Sequence, residues 1–357
     1  MNNFSRKLLR AVLNPRHAAA KILGRTAYRL LRGYPHFRQI DFVDFGSVGL
    51  FMFRNDNLYL HAVPSDRKDF APGEFARRVQ SGDVNGFASR ALEEAAESRP
   101  AFILETILNV CFCHGVPVVL LDIGANTGLV GLKAARFAEH AGGIIDVILF
   151  EPGSSAELAE ANIAANGFKG RVEFRADAVA DYTGMAIIRT SPGYSDSDRL
   201  TLDDALGESI DRVVPTVELS SVIDEAHKPG TALFVKLDTE GLEPALLASS
   251  RKIRAKIPSI IFFEYMPWRY DADTNRKLLR DFAEDHTIFD LGYLPNPWFA
   301  REIPASEFPA FETEIREREF GYTDLIAIPS SFPCAEEIIR CLKRITAKEK
   351  PTYFLVD

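Results

Sequence analysis

Asp122-Ile123-Gly124-Ala125-Asn126-Thr127-Gly128 decides the fold. It follows an apolar run, residues 116–121 broken only by Pro117, and it opens a stretch of helical character at residues 129–138. A strand that runs through a glycine turn into a helix cradles nucleotides. Gly124 and Gly128 let backbone approach a ligand closely, and the helix behind them offers unpaired N–H groups and the positive end of its dipole. Plain α/β scaffolds use such turns too, so the neighbouring segments must carry the reading.

Residues 147–150 form a second apolar strand that ends in Glu151-Pro152. An acid at the tip of the strand after a glycine turn suits a ribose diol, whose two hydroxyls both need acceptors. The layout recurs. Residues 171–177 read as a short strand ending in Asp177. Residues 233–238 are another, ending in Asp238, followed by Thr239-Glu240-Gly241-Leu242-Glu243-Pro244 and a helix with its proline in the first turn. Residues 260–264 make a further apolar strand ending in Glu264. Apolar strands alternating with helical spacers imply an α/β fold with a doubly wound, mostly parallel sheet covered on both faces. Ligands of such sheets bind outside the carboxyl ends of the strands. Asp122, Glu151, Asp177, Asp238 and Glu264 all fall at that edge.

These segments resemble the FkbM-type family of S-adenosylmethionine-dependent methyltransferases. The matching pieces are residues 122–128, then Phe150-Glu151-Pro152 with Asn162 and Asn166 behind it, then Val217-Glu218-Leu219-Ser220-Ser221-Val222-Ile223. Lys236-Leu237-Asp238-Thr239-Glu240-Gly241-Leu242-Glu243 and residues 260–264 follow, and Tyr322-Thr323-Asp324-Leu325-Ile326-Ala327 resembles the family's closing strand. Together they cover residues 100–330 in the family's order. The resemblance implies a Rossmann-like class I methyltransferase with a seven-stranded sheet. It implies S-adenosylmethionine as cofactor, held by Asp122, Gly124, Asn126, Thr127, Gly128, Glu151 and Asp177. The implied reaction is methyl transfer to a hydroxyl of a sugar, a polysaccharide precursor or a secondary metabolite.

Such a reaction must hold a sulfonium cation in line with the acceptor oxygen, and positioning supplies much of its rate. An alkyl hydroxyl is a poor nucleophile until its proton begins to leave, so a carboxylate nearby serves as hydrogen-bond acceptor or general base. Asp238 is the first choice, with Lys236 and Glu240 two residues to either side and Glu264 at the next strand end. Extended geometry would put Lys236, Asp238 and Glu240 on one face. The alternative is a structural Lys236–Asp238 pair, with Glu240 and Glu243 favouring a helix N-terminus and Glu264 a helix cap. The histidines fall poorly for a base. His114 lies at the wrong end of the sheet, His17 and His36 in the N-terminal arm, and His140, His227 and His286 among polar neighbours. His61 reaches a cleft only if its hairpin folds over it.

No metal ligand is assigned. Cys111-Phe112-Cys113-His114 has no second ligand pair of matching spacing, and Cys334 and Cys341 lie far away on a terminal helix, so buried free thiols are expected. Four cysteines without a signal peptide fit a reducing compartment, and a cytoplasmic protein is expected.

At 357 residues and 46% hydrophobic composition the chain can bury one large α/β core with additions, and no apolar run approaches the ~20 residues that span a bilayer. A net charge of −8 argues against nucleic acid as a partner. The charge is unevenly spread. Residues 1–40 carry nine Lys or Arg and no acid. At ~100° per residue, Lys21, Arg25, Arg29 and Arg32 share one helix face and Leu23, Ala27, Leu30 and Leu31 the other. This basic amphipathic arm either lies on an anionic surface, such as the inner face of a membrane, or packs on its own acidic domain or a second subunit.

Four units are expected: the arm at 1–40, a hairpin and helical extension at 41–99, the catalytic domain at 100–330 and a helical extension at 331–357. The hairpin pairs residues 46–53 with 58–63 through Asn55-Asp56-Asn57, and residues 84–113 read as helical. Residues 191–199 read as a polar loop, and residues 265–320, with Trp268, Tyr270, Tyr293 and Trp298, as an interruption before the last strand whose aromatics either stack on a sugar or pack the core. Two other functions fit a glycine turn. An NAD-dependent oxidoreductase would need a Tyr-Lys, His or Cys arrangement that the sequence lacks, and Asn126 stands where the dinucleotide fingerprint has its second glycine. A non-catalytic scaffold would use the basic arm to assemble partners.

Overall fold

A computed structural model describes residues 40–44, 48–53, 98–191, 194–201, 210–292, 300–318 and 321–344. The basic arm, His17, His36, His61, Tyr293 and Trp298 lie outside them. The chain enters through an antiparallel hairpin, β1 (Ile40–Asp44) and β2 (Gly49–Phe53). The sequence reading gave Gly49–Phe53 a partner downstream, at residues 58–63. The described partner is the upstream β1, and residues 58–63 lie outside the described set.

Helix α1 (Ser98–Cys113) leads into β3 (Val118–Ile123), and the glycine turn then opens α2 (Leu129–Ala141). β4 (Ile145–Phe150), α3 (Ala156–Ala165) and β5 (Val172–Arg175) complete the first half. After β6 (Ala178–Ala180), β7 (Gly184–Ser191), β8 (Tyr194–Thr201) and β9 (Ile210–Glu218), helix α4 (Leu219–Ala226) returns the chain to β10 (Ala232–Leu237). The second half runs α5 (Glu243–Ser249), α6 (Arg251–Arg254), β11 (Ser259–Tyr265), α7 (Ala272–Ala283), β12 (His286–Asp290), β13 (Arg301–Glu302), α8 (Phe308–Glu317), β14 (Thr323–Pro329) and α9 (Ala335–Arg344).

The main sheet has the order β13-β12-β14-β11-β10-β3-β4-β5. β5, β4, β3, β10 and β11 run parallel, and β14 is antiparallel to both β11 and β12. Every residue of β3 and β10 is buried, as strands covered on both faces must be. One face is covered by α1, α2 and α9, with Ile107, Leu132 and Ile338 in its core. The other is covered by α4, α5, α7 and α8, with Val222, Leu246, Phe282 and Phe311. The strand order reverses between β3 and β10. A crevice at such a switch point is where α/β sheets bind ligands.

Eight strands replace the expected seven, because the two-residue β13 adds an antiparallel edge. Residues 265–320 do more than interrupt the sheet: β12 takes a place in it, and α8 covers its face. The expected polar loop at residues 191–199 is instead mostly β8, which pairs with β7 in a second, four-stranded sheet of order β6-β9-β7-β8. Among the described residues no helix is long and apolar enough to cross a membrane.

Asn166, at the end of α3, ties the hairpin to this core. Its amide nitrogen donates to the Gly49 carbonyl at 2.7 Å and its oxygen accepts the Gly49 N–H at 3.0 Å. A side-chain amide thus mimics one rung of a strand ladder. The thiols differ from expectation. Cys111 alone is buried, with Cys334 close enough to help burial hold its thiol up at about 12, while Cys113 is exposed. Helix α9 packs on α1, which brings together residues remote in sequence, and His114 pairs with Glu337 at 2.6 Å.

Candidate functional site

The glycine turn leaves β3 with Gly124 at φ +73° and Gly128 at φ +87°, both in the left-handed region that favours glycine. The Gly124 and Ala125 N–H groups donate to the Phe150 carbonyl, and the Asp238 N–H donates to the Ile123 carbonyl, each at 3.0 Å. Backbone from three adjacent strands therefore meets at one point. Gly124 packs directly on Asp238: an added Cβ would lie 1.7 Å from the Asp238 carbonyl oxygen. Its glycine is required by the protein's own backbone as well as by any ligand. Gly131, which the sequence reading passed over, serves the same turn. A Cβ there would meet Leu149 at 2.3 Å, so α2 can lie close on β4 only without a side chain at that place. A third glycine for helix–strand packing is the signal that would have found it.

Asp122 is wholly buried behind the turn. Its Oδ2 accepts the Gly131 N–H at 2.9 Å, and its Oδ1 lies 3.6 Å from the Lys236 ammonium. Burial raises its pKa, opposed by Lys236 and the Gly131 N–H. Asp122 therefore holds the helix start to the strand and has no surface of its own in the crevice. Thr127 is also wholly buried, and its carbonyl accepts the Asn162 amide at 2.9 Å. Asn126 sits at φ +48°, and its N–H donates to Glu151 Oε2 at 2.8 Å. Glu151 Oε1 takes the Gly153 N–H at 2.6 Å. Both carboxylate oxygens are thus fixed by backbone donors. Asp177 is half-buried just beyond the carboxyl end of β5.

On the other side of the crevice, Lys236 is the register partner of Asp122 and bridges two carboxylates, with its ammonium 3.0 Å from Asp238 Oδ2. Asp238 remains about a third exposed, at 34%. Strand alternation does not bring Glu240 beside it. β10 ends at Leu237, and Glu240 stands at φ +56° in the loop. The turn itself folds Glu240 back, and one carboxylate oxygen from each of Asp238, Glu240 and Glu264 lies within 4.8 Å of the others. Burial, reinforced by Asp238, pushes Glu240 up to about 7, against the pull of Arg269 at 3.3 Å. Burial and the neighbouring acids Asp238, Glu240, Asp324 and Glu243 raise Glu264 well above the usual carboxylate range.

Glu243 is structural. Its carboxylate accepts the Thr239 N–H and hydroxyl, the Gly241 N–H and the Tyr270 hydroxyl, which locks the loop after β10. Tyr270 is thereby a loop brace, and burial raises its hydroxyl pKa. Trp268 is exposed at 54%, with the Arg269 guanidinium 5.7 Å from its ring centre. Arg269 carried no sequence signal, because its partner Glu240 is 29 residues away.

A doubly wound, mostly parallel sheet with a glycine turn after its first strand and acids at its switch point is the architecture of a class I methyltransferase. Residues 122–296 match the family model of the methyltransferase FkbM domain. Among solved structures, a methyltransferase FkbM from Methylobacillus flagellatus KT is similar at 14% identity and a TM-score of 0.33, over 59% of this chain and 43% of that one. The O-methyltransferase TomG of Streptomyces achromogenes, involved in tomaymycin synthesis and crystallised with S-adenosylmethionine, is similar at 13% identity and a TM-score of 0.28, over 64% and 79%. A precorrin-6y C5,15-methyltransferase from Geobacter metallireducens GS-15 is similar at 10% identity and a TM-score of 0.28, over 60% and 82%. The match thus spans less than half the length of the first of these. No curated relative matches the chain.

Proposed function

We propose that this protein is an S-adenosylmethionine-dependent O-methyltransferase acting on a hydroxyl of a sugar, a polysaccharide precursor or a secondary metabolite. One observation carries the reading: the glycine turn and the carboxylate-bearing end of β10 are in backbone contact, so a cofactor on the turn and an acceptor at Asp238 would be neighbours.

The residues fit the cofactor. Glu151 is anchored by two backbone N–H groups, and an acid at this strand tip suits a ribose diol. Gly124, Asn126 and Gly128 give the turn its left-handed backbone, and Asp122 and Thr127 support it from behind. Asp177 stands at the next strand end for the rest of the nucleoside. When bound, S-adenosylmethionine would supply an activated methyl group.

Asp238 is the group we assign to the acceptor. Its carboxylate accepts the hydroxyl hydrogen bond and takes the proton as the oxygen is methylated. Lys236 holds that carboxylate in place, which is a positioning role. Glu240 and Glu264 line the same place, and exposed Trp268, whose ring meets the Arg269 that pairs with Glu240, offers a face on which a sugar ring can stack. We place the protein in the cytoplasm, with its basic arm on an anionic membrane face or a second subunit.

The test is methyl transfer from labelled S-adenosylmethionine to a panel of hydroxyl, amine and thiol acceptors. Label in an ether product supports the proposal. Label found only on nitrogen or sulfur overturns the O-specific part.

A further inference from the structure

We propose that Asp238, Glu240 and Glu264 form a divalent-cation site, of the magnesium or manganese class, at the acceptor side of the crevice. The proposal deepens the O-methyltransferase reading, on which its role in acceptor binding rests.

Spacing is the first ground. One oxygen from each residue lies within 4.8 Å of the other two. Oxygens held 2.0–2.6 Å from a hard cation lie at most about 4–5 Å from one another, so a small inward adjustment puts all three in one coordination shell. The second ground is independent of the spacing. Among the described residues, Glu264 Oε2 is sealed from solvent and has no hydrogen-bond partner. A sealed carboxylate oxygen without a partner is costly to leave uncompensated, and a cation would supply what it lacks. Among the described residues, the four charges that act on it most strongly all belong to acids, including Asp324, its register partner on β14. The nearby cations pair with the other carboxylates and not with Glu264 Oε2: Lys236 with Asp238 and Asp122, and Arg269 with Glu240.

The donor set defines the ligand class. Three carboxylates without histidine or thiolate select a hard, oxygen-loving ion, and three protein ligands leave positions open for water or an acceptor oxygen. The site stands at the carboxyl ends of β10 and β11, beside the switch point. A cation there would grip the acceptor hydroxyl and make its proton easier to lose.

The experiment is titration of the full-length protein, stripped with EDTA, with manganese alone, followed by calorimetry. We expect one site. Glu264→Gln and Glu240→Gln should each weaken manganese binding by about tenfold or more. The same preparations are titrated with S-adenosylmethionine, so the two readings fail separately. Absence of manganese binding up to about 1 mM in protein that binds S-adenosylmethionine overturns the cation site alone. Unchanged manganese affinity in both variants overturns it as well. Manganese binding without any cofactor binding leaves the site standing and removes the methyltransferase reading.

Discussion

Gly124 and Asp238 touch through their backbones, and a single methyl group on Gly124 would fall 1.7 Å from the Asp238 carbonyl oxygen. That contact couples the turn that is to hold the cofactor to the carboxylate that is to receive the acceptor. Gly124→Ala must both strain a φ of +73° and push β10 away from β3. The expected result is a lower melting temperature together with lost cofactor binding, where the turn read from sequence alone would be crowded without unfolding. Calorimetric melting checks it. An unchanged melting temperature would show that the strands part without cost.

Asp238→Asn should leave S-adenosylmethionine affinity within a few-fold of the parent and lower turnover by ~100-fold or more, the scale of acid–base assistance. Initial rates at saturating cofactor measure it. Turnover within about twofold would reduce Asp238 to a structural partner of Lys236, and Glu240 or Glu264 would take its place.

Glu151→Gln puts an amide donor opposite one of the two backbone N–H groups that the carboxylate now accepts. Lost charge-assisted bonds of this kind cost about 1.5–3 kcal/mol. S-adenosylmethionine should therefore bind about tenfold more weakly, or worse. Equal affinity in variant and parent would remove Glu151 from the cofactor site.

Glu240 gives a pH signature. Its pKa lies near 7 in the fold against an ordinary value of 4.5, so between those values the folded state holds a proton that the unfolded state has released. Stability must then fall as pH rises through that window, and the loss is complete above about pH 7. Relative to Glu240→Gln, the parent should lose up to about 3 kcal/mol between pH 4.5 and 8 in EDTA. Denaturant melts at both pH values read this difference. A gap between the two proteins that does not change with pH would place Glu240 in a less buried setting.

Much of this was legible in the sequence because the responsible forces are local. β3, β4, β10 and β11 announce themselves as apolar runs since a sheet covered on both faces must bury them. Glu151 and Asp238 follow from being the first acids past those strands. The misses come from tertiary context. Nothing near Cys111 in sequence indicates that α9 will bring Cys334 beside it. β8 is polar, and it forms a strand by pairing with β7, a partner that local pattern does not reveal. The approach of Glu240 to Glu264 depends on a left-handed residue in a loop and on the parallel pairing of β10 with β11, neither of which has a periodic signature. Asp122 was assigned to the cofactor by its place in the motif, yet its whole side chain lies behind the turn.

The central claim is that the glycine turn holds S-adenosylmethionine. Titration calorimetry of the full chain against S-adenosylmethionine and against NAD tests it most directly. One molecule of S-adenosylmethionine should bind per chain, with no heat from NAD beyond dilution. Binding of NAD alone would make the protein an oxidoreductase, and binding of neither would leave a methyltransferase-like scaffold; either result contradicts the account.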